Sequence, residues 1–243
     1  VLKIEKEAFE HPLLKILFTN SFMVKNQILK YYKTDPEKIQ VIHNGVEWKD
    51  MENAFESWVG KKQKACYDLN LDPSLYHFLF IGNGYKRKGL THLLDSLSLL
   101  LPLKTFHLSV VGKDKKISEF IAYAKKLGLE DHVSFFGPQH ETTPFYQIAD
   151  SLVIPSHYDP FANVTIEALA MGLFVLSSTF NGGSEVLNDS NGLIIPNLLN
   201  KKTFAQSLKA AMLSPKTWLR SQTIRASVKH LDFSNQLNTL IDA

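Results

Sequence analysis

The chain has 243 residues, 44% of them hydrophobic and 21% charged, and its 27 Lys and Arg against 24 Asp and Glu leave a net charge of +3. That composition is ordinary for a globular protein, long enough for one large domain or one domain and part of another, and too slightly basic to argue for a nucleic acid partner. A single cysteine, Cys66, excludes an internal disulfide and fits a reducing compartment, and the 9 histidines form no set with zinc spacing; no apolar run approaches the roughly 20 residues of a membrane helix, and the first residues do not read as a signal peptide.

In chain order, the sequence starts at Val1 inside a helical pattern, "VLKIEKEAFEH", and so reads as a piece of something longer. A strand-like run, "KILFT" (15–19), leads to the helix "FMVKNQILKYYK", which "TDPEK" closes; "IQVIH" (39–43) follows. "VIHNGVEW" then opens a loop and a polar helix over about 51–69. From residue 77 the pattern turns regular: "HFLFIG" (77–82), "FHLSVVG" (106–112), "VSFFG" (133–137), "SLVIPS" (151–156), "LFVLSS" (173–178) and "GLIIP" (192–196) are short, rich in Val, Ile, Leu and Phe, and separated by helix-length stretches at 88–101, 115–128, 163–171 and 202–213. Continuous apolar runs of this length are how buried parallel strands read. Their alternation with helices predicts an α/β fold with a doubly wound parallel sheet. The expected divisions are 1–45 as the tail of a preceding domain, 46–70 as a linker with an incoming helix, 71–215 as the main domain, and 216–243 as a helical segment packing back toward the first part.

In such sheets ligands sit at the carboxyl ends of strands, where helix N-termini aim backbone amides at anions. The first such place is "IGNGYKRKG" (81–89). It begins a G-x-G, but Arg87 stands where the dinucleotide fingerprint needs its third glycine, and Leu90 after Gly89 breaks the P-loop pattern. What remains is a turn carrying Lys86, Arg87 and Lys88 just before a helix, where cations oppose the helix dipole. One reading is a solvated basic turn. The other is a diphosphate clamp, with Arg87 as a bidentate fork and Lys88 as a point charge; this is the reading adopted.

The second place is "SHYDPFANVTIEALAMG" (156–172), where two acids stand eight positions apart. Pro160 keeps Asp159 in the loop after "SLVIPS". Asn163 suits an N-cap, "VTIEALAMG" runs as a helix to Gly172, and Glu167 falls in the first turn or just after it. Both acids can then border one pocket floored by free amides of Phe161, Ala162, Asn163 and Val164. A carboxylate accepts from vicinal hydroxyls at two points, so the arrangement suits a ribose–diphosphate–sugar ligand. The plainer alternative is that Glu167 complements the helix dipole and Asp159 caps a turn.

Taken together, "PSHYDPFANVTIEALAMGLFVLSSTFNGGSEVL" is similar to the donor-site signature of retaining GT-B glycosyltransferases: acid, seven residues, acid, a small-residue turn, and a Gly-Gly-x-x-Glu. Arg87, Lys88 and Gly89 match the family's Arg-Lys-Gly, "VVGKDKK" and "VSFFG" fit its next strands, and "YYKTDPEKIQVIHNGVE" looks like its interdomain crossover. The spacing of "GNGYKRKG" and the "VVGKDK" strand most resemble the lipopolysaccharide-core glucosyltransferase branch.

The resemblance implies a fold: the Rossmann-like C-terminal half of a GT-B enzyme with a remnant of its N-terminal acceptor domain. It implies that Glu167 holds the ribose hydroxyls, Asp159 faces the donor sugar, and Arg87 with Lys88 neutralises the leaving diphosphate. Amides near Phe161, Ala162 and Asn163 would contact the donor, and Gly137 would lie beside the base. It also implies a nucleotide-diphosphate sugar as donor, UDP-hexose first, a glycan or lipid-linked glycan as acceptor, and a cytoplasmic protein in peripheral contact with the inner membrane face. Two positions depart from the family pattern: aspartate at Asp159 where glutamate is usual, and Ala162 where glycine is usual. The chain has no Asp-x-Asp, so no metal-bridged diphosphate is expected, and preplaced cations would stabilise the charge developing on the leaving group. Other readings of the same fold stay open here: a non-catalytic sugar-nucleotide-binding or regulatory module, and a UDP-sugar epimerase.

Overall fold

The computed structural model describes residues 2–241; Val1, Asp242 and Ala243, at the ends of the first and last expected segments, lie outside it. The chain runs α1 (Leu2–Phe9), β1 (Leu17–Thr19), α2 (Phe22–Tyr31), β2 (Ile39–Val41), α3 (Trp48–Glu56), α4 (Trp58–Asp68), β3 (Tyr76–Ile81) and α5 (Leu90–Leu97). It continues through β4 (Phe106–Val111), α6 (Ile117–Lys126), β5 (Val133–Gly137), α7 (Thr143–Ile148), β6 (Ser151–Ile154), α8 (Asn163–Ala170), β7 (Phe174–Ser177), β8 (Gly192–Ile194), α9 (Lys201–Met212), α10 (Trp218–Ser227) and α11 (Phe233–Ile241).

β3 to β8 form a parallel sheet in the order β5-β4-β3-β6-β7-β8, while β1 and β2 pair in parallel as a separate two-stranded sheet. Every residue of β4, β6 and β7 is buried. Helices cover both faces, which is why these strands are apolar throughout rather than alternating. The chain order reverses between β3 and β6, so the crevice at their carboxyl ends is the topological switch point of the sheet.

The polar helix expected over 51–69 is two helices, broken at Ser57, whose hydroxyl donates to the Asn53 carbonyl at 2.6 Å. Such back-bonding bends helices. Phe55 and Trp58, on either side of the break, lie in the same core as β3 and β4, so the stretch expected as a linker is packed on the main domain. The last stretch also divides. α10 lies directly on the end of α8: Gly172, at φ +70°, has no room for a side chain, since a Cβ would stand 2.5 Å from that of Ser221. Arg225 of α10 stacks on Trp48 and Phe55, at 4.1 and 4.7 Å from the ring centres, and donates to the Ala170 carbonyl. α11 and the turn before it lean on the crossover, where Val46 N donates to Leu231 O (2.9 Å), Phe233 N to Val46 O (3.0 Å) and Gly45 N to Gln236 Oε1 (2.9 Å). No helix among the described residues is long and apolar enough to cross a membrane.

At the amino ends of β3 and β6 a buried charge cluster closes the opposite edge of the sheet. Asp150 accepts from the backbone amides of His77 (2.8 Å) and Lys216 (3.0 Å), and lies 3.6 Å from Lys62 Nζ. Lys216 is buried against Trp58, with Nζ 4.4 Å from the ring centre and donating to Tyr146 O at 3.1 Å. Burial pushes its ammonium down to about 7 from 10.5, against the opposing pull of Asp150. Between those values the unfolded chain holds a proton that the folded chain does not, so stability rises with pH from about 7 upward. His107, pushed down by burial from 6.5 to about 4, has the same sign in its own window: stability falls as pH drops from 6.5 toward 4. Urea unfolding between pH 4 and 9 is expected to show both slopes, and Lys216→Met is expected to flatten the upper one alone.

Candidate functional site

The site is built where the β3 and β6 loops meet. Gly89 begins α5 at φ +77°, and a Cβ there would stand 1.8 Å from the Pro155 carbonyl oxygen, so only glycine lets the two loops touch. His157 N donates to Arg87 O at 2.9 Å and ties them again. Beneath, Tyr85 is fully buried, its hydroxyl donating to Gly112 O (2.8 Å) and its amide to Asp114 Oδ2 (2.6 Å). These anchors fix the turn that presents the cations.

Arg87 and Lys88 both face Asp159. Lys88 runs its stem across Gly82 and donates from Nζ to Asp159 Oδ2. Arg87 Nη1 donates to Tyr158 O at 2.8 Å and lies 3.5 Å from the same carboxylate oxygen. The Lys88 side chain is 11% exposed and that of Arg87 53%, so Arg87 keeps donors turned to solvent while Lys88 is held. The unfavourable cations at the α5 terminus therefore meet an internal anion, Asp159, as well as any external one. Lys86 is exposed and makes no ion pair among the described residues.

The start of α8 differs from expectation. Asn163 is not the cap; Ala162 occupies that position without a side-chain cap, and Asn163 Oδ1 instead accepts from Asn44 Nδ2 at 2.7 Å. The cap comes from the β7 loop. Asn181, fully buried, accepts on Oδ1 from Ala162 N (3.0 Å) and Gly183 N (3.1 Å), while its Nδ2 donates to Ser177 Oγ (3.0 Å) and Thr165 Oγ1 (3.3 Å). Asp159 pairs with this loop through its backbone, its N donating to Phe180 O and its O accepting from Gly182 N. That pairing holds Asn181 at the helix start. The Ala162 amide, expected free, is thus occupied; those of Phe161, Asn163 and Val164 have no partner among the described residues.

Glu167 lies on the second turn of α8 and makes no ion pair with Arg87 or Lys88 among the described residues. Its Oε2 accepts from the Tyr146 hydroxyl at 2.6 Å, and its side chain lines a cleft of about 330 Å³ between residues 45–51, α7 and α8, with Asn163 on the same wall. Gly137, at φ +67° with open space around it, ends β5, and its carbonyl accepts from Gly112 N.

Three residues of the region escaped sequence reasoning. The segment reads Asn181-Gly182-Gly183-Ser184-Glu185, so Asn181 stands at the first glycine of the Gly-Gly-x-x-Glu expected here, a third departure from the family pattern beside Asp159 and Ala162, and it is the side chain that caps α8. Glu185 accepts from the amides of Phe22 (2.8 Å) and Met23 (2.7 Å) and lies 2.9 Å from His43 Nε2. It thereby places its charge at the amino end of α2, where the helix dipole favours it, and docks the first segment on the main domain. Tyr146 is the third; the acid it serves is 21 residues away, and a lone tyrosine in an apolar run gives no local sign of such a bond.

A sequence profile of the glycosyl transferases group 1 family matches residues 62–229. Among curated relatives, the chain is 29% identical over 188 residues to the lipopolysaccharide glucosyltransferase WaaG of Escherichia coli K12, covering 75% of this chain and 49% of that protein. It is 28% identical over 222 residues to a D-inositol 3-phosphate glycosyltransferase of Segniliparus rotundus, covering 88% of this chain and 47% of the other. The chain therefore spans about half the length of the curated relatives it matches. In structure it is similar to WaaG (TM-score 0.82, 23% identity, 99% of this chain and 65% of that one) and to a Rickettsia africae glycosyltransferase (0.83, 22%, 100% and 66%). It is also similar to Anabaena Alr3699/HepE solved in complex with UDP (0.77, 18%, 94% and 63%). These are GT-B folds, and almost the whole of this chain aligns with about two thirds of each of them.

Proposed function

Since the chain belongs to the glycosyl transferases group 1 family, we propose that it is the donor-binding half of a retaining glycosyltransferase that moves a hexose from a nucleoside diphosphate sugar, UDP-sugar first, to a glycan or lipid-linked glycan acceptor. The observation that carries this reading is the meeting of Arg87, Lys88 and Asp159 at the switch point of the sheet. A diphosphate entering there finds a solvent-turned guanidinium for bidentate contact and a held ammonium behind it. Asp159 keeps both cations in place before the ligand arrives, so their reorganisation cost is met in folding. The unpartnered amides of Phe161, Asn163 and Val164 add donors at the start of α8, and Glu167 offers its second oxygen to ribose hydroxyls, with Gly137 toward the base.

In this reading the side chains act chiefly on charge. As the glycosyl–phosphate bond breaks, positive charge builds on the sugar ring beside Asp159 and negative charge on the diphosphate beside Arg87 and Lys88. Groups already aimed at both charges lower the barrier without reorienting. No divalent metal is needed where two cations already face the leaving group. The acceptor lies against a second domain of the kind the full-length relatives have room for. The likeness to WaaG supports a role in lipopolysaccharide assembly; a place in the cytoplasm, in peripheral contact with the inner membrane face, is part of the same proposal.

A thermal-shift panel of UDP-, GDP- and ADP-sugars tests the reading. UDP-hexoses are expected to raise the melting temperature most; a panel in which no nucleotide sugar shifts it would overturn the assignment.

A further inference from the structure

We propose that Tyr146 is a positioning residue for the donor nucleotide, its hydroxyl holding one oxygen of Glu167 so that the other is aimed at the ribose hydroxyls. The inference rests on the reading of Glu167 as the ribose acceptor and adds the device that makes it work. Tyr146 is 1% exposed, and its ring packs in the main core. Phenylalanine would fill that space equally well, so packing does not account for the hydroxyl. A buried phenol needs a partner, and the only one it has among the described residues is Glu167 Oε2, at 2.6 Å. Glu167 Oε1 has no hydrogen-bond partner among the described residues, and its side chain is half-buried on the wall of the cleft that also holds Asn163.

The tyrosine is itself fixed at both ends. Its amide donates to Thr142 O at 3.3 Å, and its carbonyl, near the end of α7, accepts from the buried Lys216 Nζ at 3.1 Å. Burial and the Glu167 charge push the phenol well above its usual range, so it is a donor at neutral pH. A carboxylate on a three-bond side chain otherwise samples several rotamers, and binding would have to freeze it. One strong bond to a rigid donor removes that cost before the nucleotide arrives.

The test compares calorimetric binding of UDP with that of 2′,3′-dideoxy-UDP, which lacks both ribose hydroxyls, in wild type, Tyr146→Phe, Glu167→Gln and the double variant. Wild type is expected to prefer UDP by roughly tenfold to a hundredfold, and Tyr146→Phe to cut that ratio by roughly threefold to tenfold. In the Glu167→Gln background, Tyr146→Phe is expected to change the ratio little. A purely structural role would weaken both ligands alike and leave the ratio untouched, as would a melting temperature that falls with the ratio unchanged; either result overturns the proposal. So does a ratio that rises, which would mean that the hydroxyl competes with the ribose. If wild type itself fails to distinguish the two ligands, the ribose assignment of Glu167 falls, and this proposal with it.

Discussion

Glu167→Ala is expected to weaken UDP binding by about thirtyfold to a hundredfold, the equivalent of roughly 2–3 kcal/mol for a charged group accepting from two hydroxyls. The substitution has a second effect that must be separated from the first. The Tyr146 hydroxyl, buried and bonded among the described residues only to this acid, would lose its acceptor, at a cost to folding of roughly 1–3 kcal/mol. Glu167→Gln keeps an acceptor for the phenol and removes the charge, so it should restore most of the stability and little of the affinity. Calorimetry and urea unfolding on the two variants read the two quantities independently. Affinity that survives in both would show that the ribose is held elsewhere.

Gly89→Ala is expected to be the most damaging single methyl in the molecule. The residue sits at φ +77°, a conformation costing an L-residue roughly 1–2 kcal/mol, and the new Cβ would stand 1.8 Å from the Pro155 carbonyl oxygen. That oxygen is backbone at the end of β6 and cannot swing aside, so the β3 and β6 loops must part and carry Lys88 away from Asp159. The expected loss is roughly 4 kcal/mol or more, in the tail of single-residue effects, or about 10 °C in melting temperature for a chain of this size. Gly84→Ala is the control: it shares a positive φ, +74°, but has nothing within 4 Å of its would-be Cβ, so it should show the conformational penalty alone. Equal destabilisation by the two variants would contradict the close approach.

The sheet was legible because parallel strands buried on both faces must be apolar along their whole length. All eight apolar runs became strands, six of them in one sheet. The placement of the Arg87–Lys88 turn and the Asp159 loop at one end of the sheet followed from the same logic, since both leave carboxyl ends of strands; the ion pairs between them were not foreseen. Where local signals competed with distant ones, the sequence misled. Asn163 is a good cap by type, yet Asn181 of the next loop takes the Ala162 amide at the helix start. The polar helix expected over 51–69 broke at Ser57, because one hydroxyl turned back on the preceding carbonyl. The roles of Glu185 and Tyr146 were invisible for a common reason: their partners lie 162 and 21 residues away, and nothing in a single sequence marks a side chain whose hydrogen-bond partner is that distant.

The central claim is that cations built into the β3 turn, rather than a bound metal, receive the diphosphate. Titrating UDP into this chain in EDTA, and again in magnesium or manganese, tests it most directly. The account predicts the same dissociation constant in all three buffers, weakened when Arg87 and Lys88 are both replaced by alanine. Heat that appears only with a divalent cation present, or that survives the loss of both side chains, would contradict it.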